Sequence, residues 1–146
     1  MFAFLPLLAL LAGASAVTQA TLNARLRSDL ASWSWAAFTS YAVGTVAMLI
    51  VIFVQRAPRP SLTLAAAVPW WAWTGGCLGA AYVVLSIVLL QRLGASTVVA
   101  FVVAGQMLGA LAFDQFGLMG LEPRPATPLR LAGVLLLVGS VILMRL

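Results

Sequence analysis

The chain alternates long apolar stretches with short polar punctuation. Residues 2–21 carry no charge before Arg25, Arg27 and Asp29 interrupt, and these three read as the first connection. A second apolar stretch covers 31–54 and ends at Arg56-Ala57-Pro58-Arg59-Pro60, where prolines beside arginines read as a solvent-side loop. A third opens at Pro69, a residue suited to a first helical turn, and closes at Arg92. Only Gly94 and its neighbours separate it from a fourth, uncharged over 93–113, so these two helices are expected to be antiparallel neighbours. After a Glu122-Pro123-Arg124-Pro125 loop comes a fifth, uncharged over 131–144. Crossing a hydrocarbon core of roughly 30 Å takes about 20 helical residues. The first four stretches are long enough. The fifth offers only about 21 Å of helix, which Arg130 and Arg145 extend by snorkelling to the two interfaces. The pattern predicts an all-α integral membrane protein with about five transmembrane helices, near 2–22, 31–54, 69–91, 94–114 and 129–145, in one bundle over 1–146.

Composition supports this. The 146 residues are 64% hydrophobic and 8% charged, with mean hydropathy +1.12, whereas a soluble domain carries about 25% charged residues. The net charge of +5 comes from arginine alone, without lysine or histidine. Because the arginines sit between apolar runs, they read as membrane-flanking anchors and not as a nucleic-acid surface. Trp33, Trp35, Trp70, Trp71 and Trp73 fall at stretch ends, where indole rings favour the membrane–water interface. A lone Cys77 excludes a disulfide within one chain, and three acids with no histidine disfavour a protein metal cage. No nucleophile–base set, phosphate-binding glycine loop or carboxylate pair is present, so no enzyme, metal or cofactor is expected. The first residues imitate a signal peptide ending at Ala14-Ser15-Ala16. They lack a basic region, and the apolar run continues to Gln19, so a retained helix is expected.

The remaining chemistry lies in sparse polar groups at membrane depth. Ala12, Ala16, Gln19 and Asn23 share one helical face, small and then polar. Gln19 and Asn23 read either as the lining of a cavity mouth or as interfacial caps. Tyr41, Tyr82 and Ser86 line the same cavity or simply pack. Gln106 is deeper, and it either binds solute or bonds to a facing helix. Asp114, just past the fourth uncharged run, is either a proton or ion-coupling site or an interfacial acid that pairs with an arginine or caps a turn. Gly44, Gly75, Gly79, Gly105 and Gly109 occur at helical spacings and are expected to permit close helix packing.

With five spans, Arg56, Arg59, Arg124 and Arg130 lie on one side of the membrane and Arg25, Arg27, Arg92 and Arg145 on the other. Orientation normally follows an arginine and lysine excess on the cytoplasmic side, and this chain has none. Either it inserts both ways and forms an antiparallel homodimer, or a bias is carried by charges near particular helices, or an oppositely oriented paralogue fixes its direction. Two opposed copies would form an inverted-repeat pair with a solute site between them.

The motifs QATLNARL (19–26), SYAVGTVAML (40–49), PWWAWTGGCLGAAYVVLSIVLLQRLGAST (69–97) and VVAGQMLGALAFDQFGLMG (102–120) resemble, in order, the small five-helix YdcZ-type family of the drug/metabolite transporter superfamily. The resemblance covers about half the residues and the first four spans. It implies a multi-pass protein of the bacterial inner membrane, with dual-topology homodimers or paired paralogues. Related small multidrug exporters use a glutamate in their first helix, where this chain has only Gln19 and Asn23, so proton-coupled cation export is not carried over. The expected function is therefore a small-solute transporter subunit that works by alternating access on a neutral, zwitterionic or organic metabolite. The alternative is a membrane scaffold whose polar residues serve helix association alone. The expected partners are a second copy or a paralogue, the lipid bilayer and the solute, with no nucleic acid.

Overall fold

The computed structural model describes residues 4–143, and among them every regular element is a helix. The expected helix ends at residues 2 and 145, and Arg145 as an anchor, lie outside the described residues. The chain forms two compact units, Met1–Arg92 and Leu93–Leu146.

In the first unit, α1 (Phe4–Leu30) is 27 residues long, about 40 Å and more than a bilayer core requires. Arg25, Arg27 and Asp29 were expected in a connection, but they occupy its last two turns. Charge here marks where the apolar layer ends, not where the helix ends. Arg25 Nε donates to Asp29 Oδ2 at 3.0 Å across one turn, a spacing that supports a helix. The helix stops at Ala31, whose φ of 49° leaves the right-handed region. Ser32 is extended, and its hydroxyl accepts the Trp35 N–H at 3.3 Å, which starts α2 (Trp33–Val54). Arg56, at φ 49°, and the prolines after it end that helix as expected.

A short helix, α3 (Leu62–Ala67), was not expected; Ser61 caps it by accepting the Leu64 N–H at 3.3 Å. The third apolar stretch then enters as a tight 3₁₀ turn over Trp70–Thr74 before α4 (Gly75–Leu93) begins. The Thr74 hydroxyl donates to the Trp71 carbonyl at 2.7 Å, and such a local bond competes with the regular ladder. The five tryptophans, at the two ends of this unit, are all exposed, as interface anchors should be.

Burial in this unit is confined to one end. Asn23, Ala36, Ala37, Val83, Ser86 and Ile87 are its buried residues, and Ala36, Ala37, Val83 and Ile87 form one apolar cluster flanked by Leu26 and Val84. These positions lie in the C-terminal halves of α1 and α4 and the first turns of α2. Thus α1 and α4 run the same way and α2 runs the opposite way. The opposite halves, 4–16 of α1 and 41–54 of α2, are exposed throughout.

In the second unit, α5 (Ala95–Phe116) packs against α6 (Pro128–Leu143). Val98, Ala104, Val134 and Val141 are buried. Gly117, at φ 58°, caps α5 in the left-handed conformation, and the loop folds back over the helix end. The Arg124 N–H donates to the Asp114 carbonyl at 2.7 Å, and the Ala126 N–H donates to Gln115 Oε1 at 2.8 Å. Among the described residues, four helices are long and apolar enough to cross a membrane: α1, α2, Trp70–Leu93 and α5. The expected fifth span is the 16-residue α6, about 24 Å long and shorter than a full crossing.

Candidate functional site

Hydroxyls in a lipid-embedded helix can satisfy themselves on their own backbone. Thr18 donates to the Ala14 carbonyl at 2.9 Å and Thr21 to the Val17 carbonyl at 3.0 Å. The amides of Gln19 and Asn23 take no such bond. Neither makes a side-chain hydrogen bond with another described residue, and Asn23 is nonetheless only 6% exposed. The hydroxyls of Ser40, Tyr41, Thr45 and Tyr82 are likewise free among the described residues.

These groups converge. Beside the buried end of the first unit, a cavity of about 610 Å³ lies between α2 and α4, with Gln19 of α1 at its edge. Ser40, Tyr41, Gly44, Thr45, Met48, Leu49 and Ile52 of α2 line it, as do Gly79, Tyr82 and Val83 of α4. A second groove of about 640 Å³ runs between α1 and α2, lined by Ser15, Thr18, Gln19, Asn23, Thr39 and Ser40 among apolar neighbours. Gln19, Ser40 and Gly44 border both spaces. No ionisable side chain lines either space apart from the tyrosine phenols. The interior therefore offers amide and hydroxyl donors and acceptors without formal charge. Among the described residues no side-chain polar atom is buried without a partner, so these groups stay accessible to water or to a solute that hydrogen-bonds to them.

The sequence candidates separate on the structure. Gln19, Asn23, Tyr41 and Tyr82 meet at these two spaces. Ser86, expected to line the cavity, is instead 5% exposed and packed away, one turn beyond Tyr82, where the three helices converge. Gln106 belongs to the second unit; it is exposed, outside both spaces, and has no hydrogen bond to another described residue. Asp114 sits in the last turn of α5, with Oδ2 3.4 Å from Arg130 Nη1 and both side chains partly exposed. This is an arginine-paired arrangement.

Of the five candidate packing glycines, only Gly79 has a close neighbour. A Cβ there would lie 2.8 Å from the Tyr41 hydroxyl, whereas one at Gly44, Gly75, Gly105 or Gly109 meets nothing within 4 Å among the described residues. For those four, the expected packing is replaced within the chain by open space. At Gly44 that space is the cavity itself, because the missing side chain leaves room between Ser40 and Met48.

Sequence reading did not single out Gln91. Its Nε2 donates to the Ala24 carbonyl at 3.2 Å and contacts Ser28 Oγ at 3.0 Å. Nearby, Arg27 Nη1 donates to the Ile87 carbonyl at 3.4 Å. Two of these acceptors are backbone carbonyls, and no residue pattern announces a backbone partner sixty or more positions away.

Residues 4–143 match the family model described as "Putative inner membrane exporter, YdcZ". The chain is also 30% identical, over 134 residues, to the inner membrane protein YdcZ of Escherichia coli strain K12, an alignment covering 92% of this chain and 90% of that one. No solved structure matches. The apolar helices and these two matches agree, and the chain belongs to the YdcZ family as a multi-pass protein of the inner membrane.

Proposed function

We propose that this protein is a subunit of a small-solute exporter that works with a second, oppositely inserted chain by alternating access. The observation that carries the reading is the uncharged cavity beside α1, α2 and α4, whose amide and phenol groups have no partner of their own. A scaffold would use its polar groups to hold helices together, and Gln19, Asn23, Tyr41 and Tyr82 are not used that way. The family described as exporters agrees in kind.

The same inventory selects the solute. A net charge brought among these groups would lose hydration without meeting a counter-charge. A neutral or zwitterionic metabolite that both donates and accepts hydrogen bonds meets amides and phenols that can do the same. The tyrosine rings and the apolar lining favour a solute with a hydrocarbon or planar part.

The small share of each helix that one chain encloses supports a second chain. Burial in each spanning helix is slight, reaching 17% in the best case, Trp70–Leu93. In the proposed dimer, the exposed amide of Gln106 and the open Gly105–Gly109 face meet an opposed chain.

Counterflow into liposomes containing the purified protein tests the reading. Neutral and zwitterionic metabolites should accumulate in exchange for internal solute, whereas organic dications should not. Asn23→Leu and Tyr82→Leu should each reduce uptake by tenfold or more while leaving the helical circular-dichroism signal intact. Unchanged uptake in both variants would place the solute path elsewhere, and no uptake from a broad metabolite set, by a chain shown to insert in both orientations, would favour the scaffold.

A further inference from the structure

The two ends of the first unit differ in a way that an exporter needs. At one end α1, α2 and α4 converge on the apolar cluster of Ala36, Ala37, Val83 and Ile87. Beyond that cluster, on the side carrying Arg25, Arg27 and Arg92, the helices are tied by Gln91 to Ala24 and Ser28, and by Arg27 to Ile87. At the other end, no hydrogen bond links α1, α2 and α4 among the described residues, and the cavity opens beside α2 as far as Ile52.

We propose that Gln91, acting with Ser28 and Arg27, is the gate that shuts the cavity at the arginine-bearing end of α1 and α4. This assignment rests on the transport reading and makes Gln91 a positioning residue for it, since Gln91 lines neither space and touches no solute. The chemistry suits a contact that must open. The two Gln91 bonds are exposed, where water can take either partner's place, while the Arg27 bond is part-buried, and two of the three acceptors are carbonyls that also serve their own helices. Breaking them leaves no buried orphan, unlike breaking a bond beneath the cluster.

The cluster supplies a fulcrum. Ala36 and Ala37 present a small, smooth surface to Val83 and Ile87, on which α4 can rock with little interlocking. Ile87 joins the two layers: its side chain is fully buried in the cluster and its carbonyl receives Arg27. Rocking α4 to release Gln91 from α1 would carry its N-terminal half toward the N-terminal half of α1. Opening one end therefore closes the other.

Distances between spin labels, measured by pulsed electron paramagnetic resonance, test this without knowledge of the solute or of insertion direction. In a Cys77→Ser background, one pair is placed by Leu30→Cys and Leu89→Cys near the gate and another by Leu10→Cys and Leu78→Cys at the open end. Labelled chains are diluted with unlabelled ones so that only distances within a chain are read. The Leu30–Leu89 pair should give one short distance in the parent. In Gln91→Leu it should gain a population longer by about 5 Å or more, roughly one helical turn, while Leu10–Leu78 shortens. Gln91→Asn keeps an amide but is too short to span to α1, so it should show the same shift even if Gln91→Leu fails to fold. Gate distances unchanged in both variants, or both ends lengthening together, would overturn the gate. If the distances switch but counterflow finds no solute with chains inserted in both orientations, the gate stands and the transport reading falls. If counterflow succeeds and the distances stay fixed, the reverse holds.

Discussion

Tyr41 and Gly79 show how one side chain sets the width of the cavity. The phenol lies over the glycine so closely that a Cβ would come within 2.8 Å of its oxygen. The obstructing atom is the tip of a side chain that can swing, and Tyr41 is 40% exposed. Gly79→Ala is therefore expected to lower stability by less than about 1 kcal/mol. Gly79→Leu, which puts a branched chain between Tyr41 and Tyr82, should cost about 1–3 kcal/mol by overpacking and block the cavity. Adding Tyr41→Phe to Gly79→Ala removes the crowding atom and should restore the parent melting temperature in detergent; failure to restore it would mean that the phenol does not set this spacing. At this scale, sequence periodicity brings Gln19 and Asn23 onto one face because both belong to one helix. It places Ser86 wrongly because Ser86 shares a stripe with Tyr82. Which part of a stripe is lined and which is buried depends on where the neighbouring helices converge, and the repeat along a single helix carries no information about that.

Among elements, the α5–α6 connection contrasts a backbone constraint with an ion pair. Gly117 has φ 58°, and a Cβ there would lie 2.8 Å from Pro123 Cγ and 3.0 Å from the Leu121 carbonyl oxygen. Any side chain meets both left-handed strain and a clash, so Gly117→Val should lower stability by roughly 2–4 kcal/mol. The Asp114–Arg130 pair is 38% and 44% exposed at 3.4 Å, and such a pair contributes at most about 1 kcal/mol. Asp114→Asn should therefore shift the melting temperature far less than Gly117→Val and leave counterflow unchanged. Loss of counterflow in Asp114→Asn with a normal melt would instead assign Asp114 a coupling role. The helices themselves are largely legible as apolar stretches, and their ends are less so. The charged tail of α1 looks like a loop because charge signals water, yet Ala-Arg-Leu-Arg is a good helix-forming sequence and stays helical outside the lipid. α3 is missed because Ser61 caps only six residues, too few to show a period.

For the whole molecule, the question is which way the chain sits in the membrane. Within the first unit, the gate end carries Arg25, Arg27 and Arg92 and the open end carries Arg56 and Arg59. In a five-span topology, Arg124 and Arg130 join the open end's side and Arg145 the other, so neither side holds an excess. The cytoplasmic preference of arginine acts through short loops and the residues flanking spans, and an even split gives it nothing to act on. A reporter fused after Leu146 that is active only in the cytoplasm, and one active only outside it, should therefore both give signal from the parent chain. Replacing Arg56 and Arg59 with glutamine removes half the charge from one side, and the population should move toward the orientation with Arg25, Arg27 and Arg92 in the cytoplasm. Replacing Arg25 and Arg92 instead should move it the other way. Opposite responses to the two replacements would show a balance held by charge and a single gene supplying both halves of an inverted pair. One-sided signal from the parent would sink homodimeric dual insertion. The second chain would then have to come from an oppositely oriented relative, and liposomes holding this protein alone should transport nothing.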